Sequence, residues 1–277
     1  MDEFAGKFAV VTGAGSGIGR ALARRCAKEG MRLALADMHG GRLEALAGQL
    51  EQEGATVAPC VLDVADAAAV AQFAAQCAED FGPPDLLFNN AGILRVGEAW
   101  SHTAADWQNL LNVNVMGVVH GLNAFVPLML AANKPAHIVN TGSVGSLVAA
   151  PGMAQYTASK MAVRGISECL LHDLAAAGAP IDVSLLCPGP VLTSIGDELM
   201  GLEASATVAE PTEHLMAGQP DFITPDAVAD CVFAAIAART FWIFTHPFSG
   251  YLDDMAQAIV DGRNPEYREV QFDRGRA

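Results

Sequence analysis

The feature that most constrains this chain is a regular alternation of short apolar runs with longer amphipathic ones. Residues 8–11, 33–36, 57–62, 86–89, 137–140, 183–187 and 242–244 are brief apolar segments that read as strands. Between them, residues 17–29, 42–53, 67–80, 104–131, 156–177 and 225–238 carry helical periodicity. Strands that are apolar on both faces and separated by helices imply a parallel sheet covered on both sides. The expected fold class is therefore α/β: a single doubly wound, seven-stranded parallel sheet of the Rossmann-like kind. Such sheets bind ligands in the crevice beyond the carboxyl ends of their strands. A length of 277 residues would allow two domains. No linker, repeat or low-complexity tract interrupts the alternation, so one domain is expected over residues 1–250. Residues 194–222 form an insertion rich in Leu, Met and Ala, read as a substrate lid, and residues 251–277 a polar, charged tail. Helix starts are marked by Thr103 with Asp106, resembling a capping box, and by Thr224-Pro225-Asp226.

Composition removes several classes of function. Hydrophobic residues make up 52% of the chain and charged residues 17%, which excludes a disordered protein. Residues 110–132 are the most apolar stretch, but Asn112, Asn114, Gly117, His120, Asn123 and Pro127 interrupt it. A span needs about 20 apolar residues in succession, so no membrane partner is expected. The formal net charge of −15 argues against nucleic acid, whose phosphates require clustered Lys and Arg. The six cysteines include no CxxC pair and the seven histidines no HExxH, so no metal site is expected. Met1-Asp2-Glu3 lacks the features of a signal peptide, which points to a cytoplasmic protein with reduced thiols.

Three groups of residues carry chemistry. The first strand leads into Thr12-Gly13-Ala14-Gly15-Ser16-Gly17-Ile18-Gly19 and then a helix. The string departs from GxGxxG and fits TGxxxGxG. Its glycines let the backbone approach a pyrophosphate, and the helix N-terminus offers free N–H groups and a positive dipole. Asp37 ends the second strand, about 20 residues beyond the loop, where a carboxylate accepts ribose hydroxyl protons and repels a 2′-phosphate. That favours NAD over NADP, with Arg42 already in the next helix. Tyr156 and Lys160 are four residues apart on one helix face. An ammonium beside a phenol is expected to pull its pKa from about 10 toward neutrality, as a general base for an alcohol proton requires.

Taken in order, these segments resemble the short-chain dehydrogenase/reductase family over residues 6–245. Thr12 to Gly19 resembles its cofactor loop, Asp63-Val64 its adenine-contacting pair, and Asn89-Asn90-Ala91-Gly92 its NNAG. Asn114 resembles its helical asparagine, Ser143 its catalytic serine, and Tyr156-Thr157-Ala158-Ser159-Lys160 its YxASK motif. Pro188-Gly189-Pro190-Val191-Leu192-Thr193 resembles the PGxVxT that closes over the nicotinamide. Gly142 departs from the family, many of whose members have a serine there. The resemblance implies an NAD-dependent oxidoreductase interconverting a secondary alcohol and a ketone. Tyr156 would be its acid/base, Lys160 would lower the phenol pKa and hold the nicotinamide ribose, Ser143 would bind the reacting oxygen, and Asn114 would position a relay water. Asn112 competes for that last role but fits the family spacing less well. The implied NAD contacts are Gly13, Ser16, Gly17, Ile18, Gly19, Asp37, Asp63, Val64, Asn90, Ala91, Gly92, Tyr156, Lys160, Pro188, Gly189, Val191 and Thr193.

Substrate class follows from apolar residues. Leu94, Val96, Leu147 and Val148, with Leu199, Met200, Leu202, Leu215 and Met216 in the insertion, suggest a pocket for a bulky hydrophobic alcohol or ketone, aromatic, terpenoid or steroid-like. Alternatives are a non-catalytic NAD-binding sensor and a dehydrogenase of small polar polyols or hydroxyacyl compounds. His102, His120, His172, His214 and His246 read as surface or capping residues. Trp100, Trp107 and Trp242 read as packing anchors, with Trp100 also placed to touch substrate. The two long helices, residues 104–131 and 156–177, resemble the family's subunit faces, so a homodimer or homotetramer is expected.

Overall fold

The computed structural model describes residues 4–193, 195 and 221–268. Seven strands form one parallel sheet in the order β3-β2-β1-β4-β5-β6-β7. They are β1 (Phe8–Thr12), β2 (Arg32–Asp37), β3 (Val57–Val61), β4 (Leu86–Asn89), β5 (Ala136–Thr141), β6 (Ile181–Cys187) and β7 (Trp242–Phe244). The helices are α1 (Gly17–Lys28), α2 (Gly40–Gln52), α3 (Ala67–Asp80), α4 (Ala104–Leu111), α5 (Gly117–Ala132), α6 (Ala154–Ala176), α7 (Pro225–Ala238) and α8 (Ser249–Val260).

The central strands are mainly apolar on both faces because they feed two cores. In β1, Ala9 and Val11 pack with Leu22, Leu43, Val232 and Phe233 of α1, α2 and α7. Phe8 and Val10 point the other way, to Phe73, Phe125 and Leu174 of α3, α5 and α6. Complete burial of such a side chain contributes about 1.5–3 kcal/mol, and a polar residue on either side of the strand would forfeit it. The chain winds outward from β1 to β3, then restarts at β4 on the other side of β1. That reversal opens a crevice between the carboxyl ends of β1 and β4.

Local signals at the helix starts are realised. Thr103 and Asp106 make the reciprocal capping box of α4, and the Thr224 hydroxyl accepts from Ala227 N, with Pro225 opening α7. The helix expected over residues 104–131 is subdivided by a π-helical turn, Asn112–Met116, between α4 and α5. By length and composition the run Ala104–Ala132, at a mean hydropathy of 1.7, would suffice to cross a membrane, which counting uninterrupted apolar residues did not anticipate. Its inner side is nevertheless committed to the fold: Phe125 and Met129 are buried in the second core, and Gly117 lies so close to Val64 that a Cβ would meet it at 2.7 Å.

The C-terminal part differs from the expected polar tail. Residues 249–260 form α8, and Tyr251 and Leu252 pack with Phe248 on Leu147 and Val148. The insertion lies almost wholly outside the described residues, and so do Leu199, Met200, Leu202, His214, Leu215 and Met216. Trp242 packs between Phe241, Phe244 and the Arg164 guanidinium. Trp100 is no packing anchor, being 86% exposed.

Candidate active site

At the crevice, backbone proximity dictates glycine. A Cβ on Gly13 would lie 2.8 Å from Ala91 Cα, and one on Gly19 would lie 2.0 Å from the Gly13 carbonyl oxygen. The glycines therefore bring the first turn of α1 down onto the end of β4. Ser16 begins α1 without capping it through its side chain, and no acidic residue occupies the first turn. The N–H groups there and the positive helix end are left to an anion. Gly17 has φ of +50°, and its missing Cβ would stand 3.0 Å from Thr193 Cγ2, so Thr193 closes over the same loop. Ile18 is partly buried against the first core.

Asp37 sits at the end of β2 with its two oxygens accepting from Gly15 N and His39 N, each at 2.8 Å. These bonds orient a largely buried carboxylate toward the glycine loop while each oxygen keeps a further lone pair. Arg42 lies nearer than its sequence position implies, since its Cβ and the Asp37 carboxylate both crowd the space above Gly15. Asp63 accepts from Ala65 N, and the Val64 carbonyl accepts from His120 Nδ1, which ties the loop after β3 to α5. Asn90 joins three strand ends: its amide donates to the Thr12 and Gly13 carbonyls, and its Oδ1 accepts from the Thr141 hydroxyl. Thr12 Oγ1 accepts from the N–H groups of Asn90 and Ala91.

Ser143, Tyr156, Lys160 and Asn114 come together beside this crevice. Ser143 caps a short 3-10 turn, Val144–Ser146, and its Oγ and the Tyr156 ring flank Gly145. Lys160 Nζ donates to the Thr141 carbonyl at 2.9 Å and lies 5.6 Å from the Tyr156 ring centroid. Gly92 stands between Lys160 and Asn114, each 3.4 Å from where its Cβ would be. Asn114 is completely buried in the π turn; its amide donates to the Ile93 carbonyl and Ser159 Oγ, and its Oδ1 accepts from Ile93 N. The extra residue of a π turn, a recurrent feature of functional sites, carries Asn114 inward. Asn112 instead accepts from Gln108 along the helix, so the structure separates the two candidates. Gly142 also gains a reason, because Ser146 Oγ would lie 2.6 Å from any Cβ there.

Burial, rather than the lysine, dominates the phenol. The expected pull of Lys160 on Tyr156 is not the leading effect: desolvation raises the Tyr156 pKa above its ordinary value, and the Ser143 hydroxyl partly offsets this. Lys160 spends its hydrogen bond on Thr141, and its own burial lowers its pKa to about 8. A buried ammonium is disfavoured just as a buried phenolate is.

Residues 188–193 continue from the end of β6, and the Pro188 carbonyl accepts from Val144 N, behind Ser143. Val191 bridges Ile223. Of the expected pocket residues, Val96 is exposed above Gly152, whereas Leu94, Leu147 and Val148 are buried. Leu147 and Val148 are covered by Phe248, a contact sequence patterning could not show. Two other groups escaped sequence reasoning. A buried chain runs from Asn89 Nδ2 to Asn140 Oδ1 and from Asn140 Nδ2 to Ser167 Oγ, supporting β4 and β5 beneath the site. His246, read as a surface or capping residue, is only 6% exposed; its sole sequence signal was a histidine two residues past the end of a strand.

A doubly wound sheet with an anion-binding turn at its switch point, beside a tyrosine, lysine and serine cluster, defines a nucleotide-dependent oxidoreductase acting on hydroxyl groups. More narrowly, the chain belongs to the short-chain dehydrogenase family, whose model matches residues 7–201. It is 33% identical to the CLA biosynthesis dehydrogenase/reductase of Lactiplantibacillus plantarum, covering 96% of this chain and 97% of that protein. It is 37% identical to the 1-deoxy-11-beta-hydroxypentalenate dehydrogenase of Streptomyces avermitilis, covering 86% and 84% of the two chains. The crystal structure of a short-chain dehydrogenase/reductase from Burkholderia phymatum in complex with NAD superposes with a TM-score of 0.87 at 42% identity, covering 98% of this chain and all of that one.

Proposed function

We propose that this protein is an NAD-dependent dehydrogenase that interconverts a secondary alcohol and a ketone on a bulky hydrophobic substrate. The observation that carries the reading is the convergence of Asn114, Ser143, Tyr156 and Lys160 beside the glycine turn and Asp37. The cofactor fits these residues: the uncapped α1 terminus suits a pyrophosphate, and the Asp37 carboxylate suits a ribose diol. Gly13, Ser16, Gly17, Ile18 and Gly19 would hold the pyrophosphate, Asp63 and Val64 the adenine side. Asn90, Ala91, Gly92, Pro188, Gly189, Val191 and Thr193 would line the nicotinamide end. Bound NAD supplies the hydride acceptor, or as NADH the donor.

Proton movement belongs to the chain. In reduction the Tyr156 phenol gives its proton to the carbonyl oxygen; in oxidation its phenolate takes the hydroxyl proton. Ser143 Oγ donates to that same oxygen and fixes it near the phenol. The Lys160 ammonium stabilises the phenolate electrostatically once the proton has left, and Asn114 would position a relay water. Val96, exposed above Gly152 ahead of α6, supports an apolar substrate, as does the name of the Streptomyces relative. Replacing Tyr156 with Phe should lower turnover by about 10²–10⁴-fold, the usual worth of a positioned acid/base, while NADH still binds. Turnover within a few-fold of the parent would refute the mechanism.

The outer faces of α5 and α6 support self-association. They enclose an apolar groove of about 660 Å³ lined by Leu122, Val126, Ile166 and Leu170. Gly165 lies exposed in the middle of α6 with nothing within 4 Å of its missing Cβ. Such a glycine costs about 0.5–1 kcal/mol of helix stability, which close packing of a second copy offsets. The protein is accordingly read as a homodimer, or as a homotetramer built from two such pairs.

A further inference from the structure

Thr245 and His246 follow β7 and lie outside every motif that assigns a role in the site. Their hydrogen bonds nonetheless reach residue 189, in the segment read as closing over the nicotinamide, and residue 221, next to the Ile223 that pairs with that segment. Gly189 N donates to Thr245 Oγ1 at 3.1 Å. Thr245 Oγ1 and His246 Nδ1 are 2.8 Å apart, and His246 Nε2 is 3.0 Å from the Asp221 carbonyl oxygen. A carbonyl only accepts, so Nε2 carries the proton and donates to Asp221. In a neutral imidazole Nδ1 then accepts, and the Thr245 hydroxyl donates to it. Burial favours that neutral form. The chain is thus directed from Gly189 through Thr245 and His246 to Asp221.

The two segments so joined also pair with each other. Leu192 N donates to the Ile223 carbonyl and Ile223 N to the Pro190 carbonyl. Gly189 is packed against the imidazole, where a Cβ would lie 2.6 Å from Nδ1. A side chain so buried, bonded at both ring nitrogens and touching backbone on one side, holds its neighbours more firmly than a capping residue does.

We propose that Thr245 and His246 are positioning residues for the nicotinamide half of the cofactor, clamping residues 188–193 to residues 221–223. This rests on the reading of residues 188–193 as the loop that covers the nicotinamide. The adenosine half is held elsewhere, by Asp37 and the α1 turn, so the clamp acts on one end of the cofactor only. The separation is tested with two ligands, NADH and ADP-ribose, which lacks the nicotinamide, by titration calorimetry on the full-length protein. Thr245→Val and His246→Phe should each raise the Kd for NADH about tenfold and leave that for ADP-ribose within twofold. Thr245→Ser, which retains the hydroxyl, should restore NADH binding to within twofold of the parent. Thr193→Ala reports on the loop itself. If it weakens NADH while Thr245→Val and His246→Phe do not, the clamp is refuted and the loop reading stands. If Thr193→Ala leaves NADH unchanged, the loop reading fails and the clamp with it. Equal weakening of both ligands by Thr245→Val, a near-isosteric change, would also overturn the proposal, since it would mark general structural damage.

Discussion

Replacing His137 with leucine should flatten the acid limb of the protein's stability. His137 lies on β5, 4% exposed, and its Nε2 is 2.7 Å from Ser184 Oγ on β6. The Ser184 hydroxyl donates to the Thr240 carbonyl, so it accepts from an Nε2–H of the imidazole. Burial lowers the histidine pKa from 6.5 to about 4; nearby Asp182 opposes the shift, and Arg239, paired with Asp182, adds to it. A depressed folded-state pKa means that the unfolded chain takes up the proton first. The associated stability is fully present above pH 6.5 and is lost as pH falls toward the folded pKa of about 4. Between pH 7.5 and 4.5 the linkage amounts to about 2.5 kcal/mol. Leucine leaves Ser184 bonded to Thr240 and removes one hydrogen bond, at a cost of about 1 kcal/mol that does not vary with pH. The two stability curves should therefore cross: the variant is weaker at pH 7.5 and stronger at pH 4.5 by roughly 1.5 kcal/mol, the difference between the linkage and the lost bond. Urea unfolding at one protein concentration measures this, because the contribution of subunit association is then held constant. Parallel loss of stability in the two proteins between these pH values would refute the assignment of the acid sensitivity to His137.

Three further outcomes follow from the site and the subunit face. With the Tyr156 pKa raised, the resting group is the phenol that reduction requires; alcohol oxidation should accelerate as pH rises from neutrality and ketone reduction should not, and an oxidation rate that falls over that range would contradict the proton assignment. Asp37→Ala should raise the catalytic efficiency with NADP relative to NAD by at least about tenfold, on the order of 1.4 kcal/mol of relieved repulsion; an unchanged ratio in coupled initial-rate assays would remove Asp37 from cofactor choice. Ile166→Glu, on the outer face of α6, should convert the oligomer to a slower-sedimenting species at micromolar concentration, and a parent protein that is itself monomeric there would refute the proposed subunit face.

Much of the site was legible because its residues are tied to strand ends. A strand identified from its apolar run places its last residue at the crevice, and Asp37 was located in this way, whereas Asn90 and Ser143 were named by resemblance to family motifs and lie just beyond the ends of β4 and β5. Asn114 was named by spacing, but the π turn that buries it has no signature in apolar periodicity, which read the region as one uninterrupted helix. The Tyr156 environment was misjudged for a related reason. Lys160 lies on the same face four residues on, but its bond to Thr141 and the depth of both groups depend on β5 and on how α6 lies against it. Gly142 looked like a departure and is explained by Ser146, three-dimensionally adjacent through the 3-10 turn.

The alternation of apolar runs determined by itself that the sheet would be parallel and covered on both faces, since a strand must alternate its side chains and the runs are apolar at consecutive positions rather than at every second one. It also determined the switch-point crevice and the order of the motifs along it. Only the tertiary structure decided what the C-terminal region does. Phe248 and α8 cover the loop after Ser143, and Thr245 and His246 bond to residues 189 and 221. Those contacts join segments distant in sequence, and their partners are backbone groups, which every residue type presents alike. A histidine after a strand looks the same in sequence whether it faces water or holds two loops together.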